Sequence, residues 1–128
     1  MTAKVTGLIP MAHVADVQRS ADFYRLLGME LRGSLKNSSG ALQWVHLAND
    51  QADLMFVRAS EPVIPRQQAV LFYLYASDLV GLREHLLSNG LLSNGLSVSP
   101  ITYPNYMPKG EMRVDDPDGY CLLLGQAG

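Results

Sequence analysis

Few side chains in this sequence have the type and spacing that catalysis requires. The chain has three histidines and one cysteine, but no segment pairs a nucleophile with a base, as covalent catalysis would need. Cys121 lies in the apolar run YCLLLG, where a thiol is more typical of a packed core than of a nucleophile. His85 falls on a predicted helix, and we expect its side chain to be exposed. These residues give no direct indication of an enzyme.

The aromatic residues indicate a different chemistry, the stacking of flat ligands. Trp44 is the only tryptophan, and its planar ring could hold a heteroaromatic molecule. Tyr103 and Tyr106 lie in the segment ITYPNYMPKG, whose prolines and Gly110 predict an ordered loop, and such loops often carry recognition. The alternative is that these side chains fill a core, because buried apolar residues are the norm.

Two copies of one unit are predicted to position these residues. The run LIPMAHVA reads as a strand, Asp16 follows as a helix N-cap, and Gly28 ends the helical pattern. The run AVLFYLYAS is followed by Asp78 and Gly90 in the same way. The repeated pentapeptide LLSNG, at 86–95, predicts one extra turn where the second helix ends.

Each predicted helix precedes three strand-like runs. They are MELRGSL, ALQWVHLA and DLMFVRA in the first half, and SVSPITY, EMRVDD and GYCLLLG in the second. The turn Asp-Pro-Asp-Gly at 116–119 joins the last two. The chain therefore reads as βαβββ twice, over about 5–60 and 68–126, with a break in the segment SEPVIPRQQ. We expect one domain over 1–128, because such a unit must pack against its copy to close a core.

Composition excludes several classes of partner. The formal net charge is −2 and no two Lys or Arg residues are adjacent, so we expect no nucleic acid partner. No run approaches the length of about 20 apolar residues that a membrane helix needs, so we expect no membrane partner. The N-terminus does not resemble a signal peptide, and a lone cysteine fits a reducing compartment. We expect a cytoplasmic location.

Two segments resemble a known family. HVADVQRSADFYRLLGMEL, at 13–31, resembles the opening of glyoxalases, extradiol dioxygenases and bleomycin-resistance proteins, the vicinal oxygen chelate superfamily. EMRVDDPDGYCLLLG, at 111–125, resembles their closing hairpin. The resemblance implies an α+β fold in which two βαβββ modules form an incomplete barrel around a cavity. It also implies a homodimer, since relatives usually pair and exposed strand edges need covering.

The resemblance also locates the metal-ligand positions of the enzymatic relatives. Carried over by motif, they fall on Ile9, on Met55, on Leu71 or Phe72, and on Leu123. None of these side chains is a suitable ligand for Zn²⁺, Mn²⁺, Ni²⁺ or Fe²⁺. We therefore expect no metal and no other cofactor, and the sequence argues against an enzyme.

A relocated metal is the first alternative. His13 shares a strand face with Met11, and the resemblance implies that this face points toward the cavity. His46 lies on a third strand, and Glu111 falls where many relatives keep a glutamate. A site built from His13, His46 and Glu111 would make the protein a lyase or a dioxygenase.

The leading hypothesis is a metal-free protein that binds a small molecule, such as an antibiotic of the bleomycin type or another aromatic natural product. A pocket with aromatic and aliphatic walls and few polar groups is typical of such binding. A further alternative is an interaction module with a filled core. The candidate ligand-contacting residues are His13, Trp44, Met55, Val57, Tyr73, Tyr75, Tyr103, Tyr106, Met107, Met112 and Arg113.

Overall fold

A computed structural model describes residues 3–128 of the chain. They divide into two compact units, the first ending at Val63 and the second beginning at Ile64. This division falls inside the proline-bearing segment 60–68 that interrupts the sequence repeat. Within residues 3–128, no helix has both the length and the apolar character needed to cross a membrane.

The first unit is a four-stranded sheet with one helix. Its elements are β1 (Met11–Val14), α1 (Val17–Arg25), β2 (Glu30–Lys36), β3 (Leu42–Ala48) and β4 (Asp53–Arg58). Strand β1 pairs with β4 in parallel, and the other neighbours are antiparallel, in the order β1-β4-β3-β2.

Local chemistry sets the ends of α1, and packing holds it. The Asp16 carboxylate accepts a hydrogen bond of 3.1 Å from the Arg19 N–H, and Gly28 takes a positive φ of 83° after the last turn. The buried rings of Tyr24 and Phe56 pack with centroids 4.8 Å apart. This contact joins α1 to the buried face of the sheet.

The second unit is a three-stranded sheet with one helix. Its elements are β5 (Leu71–Ala76), α2 (Leu79–Ser88), β6 (Glu111–Asp115) and β7 (Cys121–Gln126). Strand β7 lies in the middle, parallel to β5 and antiparallel to β6. Asp78 caps α2 by accepting from the Gly81 N–H at 3.0 Å.

The predicted strand SVSPITY does not form a regular strand. It makes only two isolated bridges, Val98 to Val114 and Thr102 to Glu111. Pro100 lies between them and has no N–H to donate, so it interrupts the ladder. The second sheet therefore has three strands where the repeat predicted four.

Other local predictions are confirmed. The second LLSNG copy forms a 3-10 turn at Leu92–Asn94 after α2. The Asp116 carboxylate accepts from the N–H groups of Asp118 and Tyr120, at 2.9 Å each, and so fixes the turn between β6 and β7. Cys121 is buried, and this burial raises the pKa of its thiol, as expected for a core residue.

Candidate functional site

In each unit the sheet has one buried face and one more exposed face, because successive side chains of a strand point to opposite sides. We call the exposed side the open face. In the first unit Ala12, Val14, Val45, Leu47, Leu54 and Phe56 are buried. The open face of that unit carries Met11, His13, Trp44, His46, Met55 and Val57.

The open face of the first unit has Trp44 as its largest side chain. Trp44 lies in one row with Val57 and His13. Its indole extends over Gly33 on the neighbouring strand, where an added Cβ would lie 3.3 Å from the ring. Gly33 therefore leaves the space that the indole occupies.

A polar pair lies beside this tryptophan. The His46 Nε2 and an Asp53 carboxylate oxygen are 2.6 Å apart, and the imidazole centroid is 6.5 Å from that of Trp44. The pair orients the imidazole but places no nucleophile next to it. This arrangement suits a polar contact at the edge of an aromatic surface.

The open face of the second unit carries a more closely connected group, which we call the tyrosine cluster: Tyr73, Tyr75, Tyr106, Met107 and Glu111. The Tyr73 hydroxyl donates to one Glu111 carboxylate oxygen at 2.6 Å, and the Tyr106 hydroxyl donates to the other at 2.7 Å. The rings of Tyr73 and Tyr75 lie 5.3 Å apart, tilted by 49°.

A glycine in the central strand makes room for this cluster. Gly125 pairs with both Tyr75 and Glu111. A Cβ at this position would lie 2.7 Å from the Met107 Cε and 3.2 Å from the Tyr73 hydroxyl oxygen. Any larger residue would therefore displace part of the cluster.

The electrostatics of the cluster follow from its buried carboxylate. Glu111 is only 7% exposed, and its backbone is held to Thr102 by hydrogen bonds in both directions. The hydrogen bond to Glu111 raises the pKa of Tyr73 to about 12, and the same cause raises the pKa of Tyr106. Ionising either phenol would break the bond and set two negative charges side by side.

Two further predicted residues of the second unit, Tyr103 and Arg113, lie outside the tyrosine cluster. Tyr103 is exposed beside Gly110, next to the cluster but without a hydrogen bond to Glu111 among the described contacts. Arg113 lies on the open face, and its Nε pairs with Asp115 at 3.3 Å.

Met112 is only 2% exposed and pairs with Leu124 on the buried face. Its neighbours Glu111 and Arg113 point to the open face, so the strand period of two turns Met112 away from them. This placement corrects the expectation that Met112 contacts a ligand.

The residues at the expected metal positions do not fit a metal. Met55, Leu71 and Leu123 lie on open faces, Phe72 lies on the opposite face from Leu71, and Ile9 precedes β1. Apart from the thioether of Met55, a poor ligand for these ions, they have no donor atom.

Two residues of the relocated metal set make other contacts within their own units. Within residues 3–128, no three His, Cys, Asp or Glu side chains gather closely enough to hold a metal ion. His46 instead pairs with Asp53, and Glu111 accepts from two tyrosines.

Several residues of these surfaces were not predicted. Gly33 and Gly125 make room for the aromatic side chains, and Asp53 orients His46. A glycine inside a strand is a known sign of close approach by a neighbour, so Gly125 could have been found from the run GYCLLLG. No short sequence pattern indicates that Glu111 accepts hydrogen bonds from Tyr73 and Tyr106.

The architecture is shared with solved structures at low sequence identity. A bleomycin-binding protein crystallised with bleomycin has a TM-score of 0.74 and 20% identity, covering 97% of this chain and 100% of that chain. A bleomycin resistance determinant encoded on the transposon Tn5 has a TM-score of 0.73 and 19% identity, covering 95% and 98%. TnmS3, an antibiotic binding protein from Streptomyces sp. CB03234, has a TM-score of 0.65 and 19% identity, covering 99% and 100%.

These similarities establish the fold that the sequence predicted. No curated protein matches the sequence significantly. The family model described as glyoxalase/bleomycin resistance protein/dioxygenase superfamily matches residues 10–123, which is most of the chain. This protein therefore belongs to the glyoxalase/bleomycin resistance protein/dioxygenase superfamily.

Proposed function

We propose that this protein binds a small organic molecule with a planar aromatic part, such as an antibiotic or another aromatic natural product, and that it does so without a metal. The tyrosine cluster carries this proposal. Tyr75 and Tyr106 are each 70% exposed, yet Tyr106 is held by its hydrogen bond to Glu111. Exposed aromatic rings that are already ordered can contact a ligand at a small cost in conformational entropy.

Two further observations support binding rather than chelate chemistry. The positions where enzymatic relatives hold a metal are apolar, as at Leu71 and Leu123. Structurally similar proteins bind bleomycin, copper(II)-bleomycin and an antibiotic. Trp44 would supply a second aromatic surface on the first unit.

The test is a titration of the purified protein with bleomycin and a panel of aromatic natural products, followed by calorimetry and by the fluorescence of Trp44. We expect saturable heat from at least one compound, and lower affinity when Tyr75 or Tyr106 is replaced by Ala. Leu92→Ala is the matched control, because Leu92 is 59% exposed on the 3-10 turn after α2. Absence of binding across the panel would contradict the proposal and favour the interaction module.

We also propose that the protein is a homodimer. Val5 and Leu8 precede β1 and are 83% and 82% exposed, and these apolar side chains would gain free energy if a second copy of the chain covered them. Light scattering on the purified protein tests this, and a monomer at micromolar concentration would contradict it. The cytoplasmic location stays a prediction of the sequence.

A further inference from the structure

We propose that the tyrosine cluster binds a positively charged, hydrogen-bond-donating group of the ligand: an ammonium, amidinium or guanidinium group. This inference rests on the proposed function, because it assigns the same cluster a chemical preference. It adds the charge of the ligand to the aromatic character already proposed.

The first argument is the direction of the hydrogen bonds. A tyrosine hydroxyl has a single O–H to donate, and Tyr73 and Tyr106 both donate theirs to Glu111. Toward a ligand, each phenol oxygen can then only accept. A carboxylate behind a hydroxyl polarises it and strengthens it as an acceptor. A ligand group with N–H donors therefore complements these two oxygens, whereas a carboxylate does not.

The second argument is the charge of Glu111. Its side chain is nearly buried, and within residues 3–128 no Lys or Arg forms an ion pair with it. Arg113, two residues along the strand, directs its Nε to Asp115. The two phenols solvate the carboxylate without cancelling its charge. Because a buried charge without a counter-ion is costly, a cation from the ligand gains free energy by approaching it.

The third argument is the chemistry of the side chains that surround Glu111 in the tyrosine cluster. Tyr73 and Tyr75 lie with tilted rings close together, and Met107 lies over Gly125 beside the Tyr73 hydroxyl. Aromatic faces attract cations through the ring quadrupole, and a thioether is polarisable and adaptable. The formal net charge of −2 gives little long-range attraction, so the local carboxylate provides the preference.

The test compares three phenyl compounds that differ in charge: 2-phenylethylammonium, 2-phenylethanol and 3-phenylpropanoate. The full chain, labelled with ¹³C-tyrosine, is titrated at neutral pH and followed by NMR. We expect the ammonium to bind about 10-fold more tightly than the alcohol, from the strength of charge-assisted hydrogen bonds. The carboxylate should bind most weakly, and the shifts should concentrate on Tyr73, Tyr75 and Tyr106.

Variants assign the preference to Glu111. Glu111→Gln keeps the shape of the side chain and removes its charge, so the preference for the ammonium should disappear. Glu84→Gln on α2 is the matched control. Glu84 is exposed, and its replacement changes the net charge by the same amount. If Glu111→Gln does not fold, Tyr73→Phe removes one polarised acceptor and should lower affinity for the ammonium several-fold, with affinity for the alcohol nearly unchanged.

The outcomes separate this inference from the proposed function. Equal affinity for the ammonium and the alcohol, alongside binding of a natural product, would overturn the cation preference and leave the proposed function standing. Charge-selective binding that depends on Glu111, without binding of any natural product in the panel, would support the cation site and contradict the proposed function. No tyrosine shift up to the solubility limit of the three compounds would overturn the inference.

Discussion

The Tyr73 hydroxyl donates a hydrogen bond of 2.6 Å to the carboxylate of Glu111, a residue 38 positions further along the chain. The two residues belong to β5 and β6, the edge strands that flank β7. Their bond therefore spans the open face of the second sheet. Tyr106 reaches the same carboxylate from the loop before β6, so one buried acid orders two side chains from two other segments.

The two hydrogen bonds to Glu111 predict that Tyr73 and Tyr106 lose their phenol protons at a higher pH than ordinary tyrosines. The pKa of Tyr73 is about 12 and that of Tyr106 is also raised, above the value of about 10 for an unfolded tyrosine. The stabilisation from these bonds is therefore fully present below pH of about 10. The Tyr73 bond is lost as the pH rises toward about 12, and the Tyr106 bond is lost as the pH rises through the raised pKa of its own phenol.

Phenolate absorbance on alkaline titration checks this prediction. Tyr73→Phe should remove one late step, and Glu111→Gln should bring the pKa of both phenols down toward the ordinary value. If all exposed tyrosines of the unmodified chain ionised together near the ordinary value, the bond would not exist in solution.

Replacing Gly125 by Ala should disturb the cluster. The new Cβ would lie 2.7 Å from the Met107 Cε and 3.1 Å from its Sδ, and this flexible side chain can move. We expect a loss of about 1 kcal/mol in the free energy of unfolding and weaker ligand binding. Urea unfolding and calorimetry measure the two effects. Adding Met107→Ala to the Gly125→Ala variant should restore the lost stability. If it does not, the new Cβ overlaps with a group other than the Met107 side chain.

Phe56→Ala should be strongly destabilising. Phe56 is fully buried against Tyr24, and truncating a buried Phe typically costs about 3–5 kcal/mol. Leu35→Ala is the comparison, because Leu35 is 63% exposed and should change the free energy of unfolding by about 0.5 kcal/mol or less. Similar urea midpoints for the two variants would show that the first unit does not pack as described.

Asp78→Ala should lower stability by about 1 kcal/mol through loss of the α2 N-cap. The Asp78 carboxylate accepts from the Gly81 N–H, and Asn can make the same bond. Asp78→Asn should therefore retain most of the stability in thermal unfolding. Equal losses in both variants would assign the effect to charge rather than to capping.

Incubation with Zn²⁺, Ni²⁺, Mn²⁺ or Fe²⁺, followed by dialysis and elemental analysis, should leave no stoichiometric metal. The reason is that Met55, Leu71 and Leu123 offer no oxygen or nitrogen ligand. Stoichiometric metal binding that is lost in the His13→Ala variant would contradict this prediction. It would instead support the alternative of an enzyme with a relocated metal.

The parts of the fold that depend on local chemistry could be predicted from sequence. Asp16 and Asp78 cap their helices as predicted, and the turn at 116–119 forms between β6 and β7. A cap or a turn depends on a few neighbouring residues, and for that reason its sequence sign is reliable. The strand predicted at SVSPITY failed because Pro100 removes a donor from the ladder.

The sequence by itself determined the family, the repeated unit and the absence of ligands at the usual metal positions. Which side chains meet was decided by strand register and by the path of the loop before β6. Register turned Met112 toward the buried face, with Glu111 on the open face, and brought Tyr73 and Tyr106 to one carboxylate. Pairing across a sheet joins residues distant in sequence, so no local pattern encodes these contacts.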